Sequence, residues 1–261
     1  MARYSPYASS VSFGPGPVST ALKALIFGNI AVFVLQYLVL GMVAPQASML
    51  ISTVFGLGPI DVVTRLWVWQ IATYMFLHVG LAHILFNMLA LWMFGGELER
   101  MWGTRYFLKF YAVSGVGAAL LTIAISFLPF GWAESLRYAH VVGASGAIYG
   151  LLLAYGLSFP NRPIYMYFVF PIPAKYFVMI MGALAFYSSV TDARGVAHVT
   201  HLGGLVVGYL YLRSHHLLRG IRLSPWAEVK YRYLKWKMGR MRKRFDVYQG
   251  GRHDDWNQRI H

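Results

Sequence analysis

HVVGASGAIYGLLLAYGLSF, residues 140–159, runs for twenty residues without an Asp, Glu, Lys or Arg. An uncharged stretch of this length matches a helix crossing the roughly 30 Å hydrocarbon core of a bilayer. Comparable apolar runs occupy residues 20–44, 81–98, 106–127, 174–190 and 196–212. The whole 261-residue chain is 57% hydrophobic and 12% charged. A soluble domain carries about a quarter charged residues, so too little polar surface is left here to coat a particle in water. The expectation is an all-α polytopic membrane protein with six spanning helices. Pro129, Pro160, Pro163, Pro171 and Pro173 fall between the runs, where a missing N–H does no harm. There are no cysteines, which excludes disulfides, thiolate metal sites and a cysteine nucleophile.

The chain divides by composition into three parts. Residues 1–19 are a polar, Pro/Gly-rich arm without the apolar core of a cleaved signal. Residues 20–213 hold the apolar runs, and residues 214–261 form a basic tail. Of the 23 Lys and Arg, 13 follow residue 212, which explains a net charge of +14 without nucleic acid. No nucleic-acid recognition motif accompanies that charge, whereas a basic segment beside a spanning helix suits anionic headgroups. With a cytoplasmic N-terminus, the inside flanks and tail carry 20 of these cations and the outside loops only Arg65, Arg137 and Arg194. This asymmetry predicts both termini in the cytoplasm, with the aromatic-rich connection 45–80 outside and Trp67, Trp69 and Tyr74 at the interface. A bacterial inner membrane is the expected location.

Ionisable and nucleophilic groups at membrane depth are costly, so each raises a functional question. Ser145 stands in Gly143-Ala144-Ser145-Gly146, where a serine could cap a helix, ease helix packing or act as a nucleophile. His198 and His201 lie three apart, near one helical face, open to a metal pair or to a base facing a serine. No third metal ligand accompanies them. His83 and Asn87, at i and i+4 and preceded by His78, could bond across helices or aim two neutral donors at a developing oxyanion. Gly146 with Gly150, and Gly204 with Gly208, have the small-xxx-small spacing that lets helix backbones approach.

The strings WQIATYMFLHVGLAHILFNMLALWMFGGELERMWG, GASGAIYG, FPNRPIYMYFVFPIPAKYF and AHVTHLGGLVVG, in this order, resemble the rhomboid intramembrane serine proteases from about residue 20 to 213. The resemblance implies Ser145 as nucleophile and His201 rather than His198 as base, because Gly204 and Gly208 follow at +3 and +7. It implies His83, Asn87 and backbone N–H groups at Ala144 and Ser145 as the oxyanion site. It further implies Tyr149 beside the base, Gly143, Gly146, Gly204 and Gly208 as supporting residues, and Glu99 as a structural residue before Trp102-Gly103. Chemically this is a Ser–His dyad without a cofactor or metal: Asp192 and Glu134 lie in loops and neither is an evident third member. The implied substrates are single-pass transmembrane proteins, and anionic lipid is the expected partner of the tail. An inactive client-binding relative and a small proton-coupled transporter are the competing readings.

Overall fold

Ser19 starts the first helix: its hydroxyl accepts the Leu22 N–H at 3.0 Å, satisfying one donor that a helix start leaves unpaired. The computed structural model describes residues 17–166, 170–191 and 196–220, together with Tyr233, Trp236 and Lys237. The N-terminal arm to residue 16, Asp192 and nearly all of the basic tail lie outside the described residues. The chain falls into two units, Met1–Ser214 and His215–His261.

A helix lies at each of the six apolar runs. Among the described residues, Thr20–Val43, Leu81–Trp102 and Thr104–Ser126 are long and apolar enough to cross a membrane, and Ser145–Ser158 is a shorter apolar helix. Ala174–Thr191 and Val196–Gly220 follow. The outer faces remain apolar, with Leu38, Val39, Leu120, Met179, Leu184 and Phe186 exposed. Such surface belongs in lipid rather than water. This is a polytopic helical membrane bundle. Its one described sheet is a hairpin, Pro163–Met166 against Phe170–Pro173, which the proline-rich sequence suggested only as a loop.

Boundaries depart from the sequence reading where local chemistry intervenes. The second run does not end at residue 98 but passes through a π-turn at Leu91–Gly95 to Trp102. It stops because Gly103 adopts φ +79°, a left-handed conformation that disfavours other residues. Glu99, buried beside this turn, accepts hydroxyl donors from Thr104 at 2.6 Å and from Ser19. Two donors offset the cost of burying a carboxylate and tie the first helix to the turn. The fourth run begins its helix at Ser145 and not at residue 140. Residues 140–144 lie outside the helix, and Val141 pairs with Leu57 in an antiparallel bridge.

The connection 45–80 is folded around buried Gln70. Its amide donates to the Thr53 and Val54 carbonyls and its oxygen accepts the Gly58 N–H at 2.9 Å. Tyr74 was expected at the interface, but it is fully buried, because its hydroxyl finds the Gly115 carbonyl at 2.8 Å. His78 is 1% exposed, and neither ring nitrogen has a hydrogen-bond partner among the described residues.

Small residues bring the helices together. The serine helix, Ser145–Ser158, packs on Thr104–Ser126. Gly203 on Val196–Gly220, the histidine helix, sits so close to Thr104–Ser126 that a Cβ would lie 3.2 Å from Ala118 Cα. A Cβ on Gly204 would collide with the Gly146 carbonyl, and one on Gly208 would lie 3.0 Å from Gly150 Cα.

Two outcomes follow from these contacts. Gly204→Ala meets backbone rather than a flexible side chain, so overpacking should cost about 1–3 kcal/mol and lower Tm in detergent. Gly28→Ala, where a Cβ meets nothing within 4 Å, should be neutral or gain about 0.5–1 kcal/mol from helix propensity. Equal Tm values for the two variants would remove the close helix contact. Burial, with His83 adding to it, pushes the His78 pKa from 6.5 down to about 4. The folded state thus binds this proton less readily than the unfolded chain, and stability falls as pH drops from about 6.5 towards about 4. His78→Asn should flatten the Tm profile across that window; an unchanged acid slope would exclude His78 as its source.

Candidate active site

Ser145 opens the serine helix, and the preceding Ala144 makes no side-chain cap. The first intrahelical bond at this end runs from the Ile148 N–H to the Ala144 carbonyl at 3.0 Å. N–H groups earlier in the turn have no intrahelical acceptor and carry the positive end of the helix dipole. Ser145 is not acting as a helix cap. Its Oγ lies 2.7 Å from His201 Nε2, across 56 residues of chain.

The ring of His201 is fixed by packing. Tyr149, one turn after Ser145, stacks on it with centroids 4.3 Å apart and planes 6° apart. His198 meets the same ring edge-on at 5.6 Å. His201 Nδ1 is buried, and no carboxylate or other hydrogen-bond partner reaches it among the described residues. Glu134 lies on the helix Gly131–Tyr138, and Asp192 falls outside the described residues.

Gly143 joins the remaining parts. Its φ of +126° is open to glycine and strained for other residues. Its N–H donates to the Tyr74 carbonyl at 2.8 Å. The space a Cβ would take is filled by His83, whose Cε1 and Nε2 would both lie 2.8 Å from it, with Ser145 Oγ at 3.5 Å. Glycine therefore admits the imidazole edge to the backbone beside the serine. The Val79 N–H donates to His83 Nδ1 at 3.3 Å. An Nδ1 that accepts assigns the proton to Nε2, the nitrogen facing Gly143 and Ser145. Asn87 is buried one turn further, with its amide donating to the His83 carbonyl at 2.8 Å.

The structure thus gathers Ser145, His201, Tyr149, His83, Gly143 and Ala144 at one place, with Asn87 bonded to the same turn. Gly146, Gly204 and Gly208 lie in the helix contact beneath. Sequence reasoning missed Tyr74, whose carbonyl holds Gly143 and whose hydroxyl holds Gly115. Its only signal was a tyrosine in an aromatic-rich loop, which reads equally well as an interfacial anchor.

Comparison with known proteins identifies the family. Residues 65–216 match the Rhomboid domain. The chain is 30% identical over 227 residues to the rhomboid protease AarA of Providencia stuartii, covering 81% of this chain and 79% of that protein. It is 32% identical over 142 residues to the mitochondrial Rhomboid protein 1 of Saccharomyces cerevisiae, covering 52% of this chain and 38% of that one. It is 34% identical over 143 residues to the rhomboid protease GluP of Bacillus subtilis, covering 54% and 25%. The chain thus spans well under half of the last two relatives and most of the first. With a family match across more than half its length and a relative aligned over most of both chains, this multi-pass integral membrane protein belongs to the rhomboid family.

Proposed function

We propose that this chain is an intramembrane serine endopeptidase that cuts transmembrane segments of single-pass membrane proteins with a Ser145–His201 dyad. The observation that carries the reading is the 2.7 Å contact between Ser145 Oγ and His201 Nε2. A serine hydroxyl is a weak nucleophile unless an adjacent base takes its proton, and a neutral imidazole at hydrogen-bond distance does this.

In the proposed mechanism Oγ attacks the scissile carbonyl carbon while His201 Nε2 accepts its proton. Negative charge collects on the carbonyl oxygen. His83 Nε2–H, the amide of Asn87 and backbone N–H groups at Ala144 and Ser145 supply donors on one side of the nucleophile. His201 then returns the proton to the leaving amine, giving an acyl-Ser145. Water, deprotonated by His201, attacks that ester and frees Ser145. The stack on Tyr149 takes the orienting part that a carboxylate plays in a triad.

The apolar outer faces support substrates that arrive laterally as helices in the bilayer. The positive-inside distribution supports cytoplasmic termini, with the basic tail on anionic headgroups of a bacterial inner membrane.

The test uses the full chain in lipid vesicles with a single-pass reporter and a fluorophosphonate probe. Ser145→Ala and His201→Ala should abolish cleavage and labelling, whereas His198→Ala should retain both. His83→Ala should lower turnover about 100- to 1,000-fold, the usual cost of one oxyanion donor, with residual cleavage from the backbone donors. Asn87→Ala should also lower it. Labelling that survives Ser145→Ala, or a dead His198 variant beside an active His201 variant, would sink this assignment.

A further inference from the structure

The residues just before the nucleophile are anchored by side chains that belong to neither the dyad nor the oxyanion donors. His140 Nε2 lies 3.0 Å from Asp61 Oδ2, joining points 79 residues apart. The Asp61 side chain is 7% exposed and that of His140 32%. Next to His140, Val141 exchanges both backbone bonds with Leu57, at 2.8 and 2.9 Å. Two residues later Gly143 donates to the Tyr74 carbonyl, and Ser145 follows.

Gly58 lies beneath the pair. A Cβ there would lie 2.7 Å from Asp61 Oδ2 and 2.9 Å from His140 Nε2, so the contact closes only over glycine. The same Gly58 donates its N–H to Gln70, the centre of the connection 45–80. Arg65 reaches the other Asp61 oxygen at 3.3 Å from a side chain 58% exposed. The bond requires a proton on Nε2, which neutral imidazole in that tautomer supplies as well as imidazolium does.

We propose that Asp61 and His140 are a positioning pair for the reaction, a clamp that sets where the Val141–Ala144 backbone, and hence the oxyanion donors, lie relative to Ser145. The inference rests on the protease reading above. Neither side chain touches the reacting atoms. A backbone shift of about 1 Å at such a site can cost about 100-fold in rate.

Asp61→Ala, His140→Ala, the double variant, Asp61→Asn and Arg65→Ala are compared in vesicles. Turnover is expressed per active site titrated with the fluorophosphonate probe, so loss of folded protein does not enter. Both single alanine variants should lower kcat about 10- to 100-fold with KM unchanged, since geometry rather than substrate contact is lost. The double variant should be no worse than either single, because each removes the same bond. Asp61→Asn, which still accepts from Nε2–H, should recover most of the turnover, and Arg65→Ala should match wild type. Should Asp61→Ala not fold, His140→Ala decides, because it deletes the more exposed partner and leaves Asp61 paired with Arg65. Wild-type kcat per titrated site in His140→Ala, or losses that multiply in the double variant, would overturn the pair. Absence of labelling in the wild-type chain would instead overturn the protease reading itself.

Discussion

Everything at the site depends on two helix backbones touching. A serine hydroxyl reaches one carbon beyond its Cα and an imidazole not much further, so a 2.7 Å contact demands that their helices nearly meet. Gly204 against the Gly146 carbonyl leaves no room for a methyl, and Gly208 against Gly150 leaves a tight fit for one. In a bilayer the lipid tails are as apolar as leucine, and helices gain little by burying large side chains against each other. Close van der Waals contact and cross-helix hydrogen bonds must hold them. The Thr104–Ser126 helix completes the packing in the same way, with Gly115, Gly117 and Ala118 facing its neighbours and Thr122 bonded to Thr200 at 2.9 Å.

The polar groups fall into two sets under that constraint. Gln70, Glu99 and Thr122 have partners close by, and each fixes a local structure: the connection 45–80, the turn at Gly103, and a helix pair. Another set is buried without partners among the described residues and includes both nitrogens of His78 and Nδ1 of His201. An unpaired buried nitrogen is unfavourable, and at His201 it has a consequence for the chemistry. Among the described residues, the ring's plane is set by stacking on Tyr149 and by the Nε2 contact with Ser145.

The helices were legible in the sequence because they are local patterns, whereas the pairing of Ser145 with His201 was implied by the family resemblance and not by spacing. Uncharged runs of membrane length mark the helices, and the spacing of His198, His201, Gly204 and Gly208 marks one face of one of them. What the sequence hid depends on distant contacts. Residues 140–144 continue the apolar run without a break, yet they are not helical, because Leu57, Tyr74 and Asp61 supply partners from far up the chain. Composition cannot distinguish a tyrosine buried on a backbone carbonyl from one at a membrane interface, which is why Tyr74 was misread. The hairpin at residues 163–173 was concealed by prolines, which end helices but are tolerated at strand ends and sheet edges.

These non-local contacts explain why the connection 45–80, itself built of short helices, is as much a part of the site as the longer helices. The serine and histidine helices can fix Ser145 and His201, because both sit on glycine-packed elements. They cannot fix the backbone N–H groups preceding Ser145, since that segment lies outside any helix. Its position is set from four directions: Asp61 by its bond to His140, Leu57 by a two-way backbone bridge, Tyr74 by its carbonyl, and His83 by filling the hollow that Gly143 leaves open. Leu57 and Tyr74 come from the connection, whose own shape is held by Gln70. Preorganised donors need a fixed support to favour developing charge. For the segment before Ser145 such support comes from the connection 45–80, through the main chain of Leu57 and Tyr74 and the side chain of Asp61.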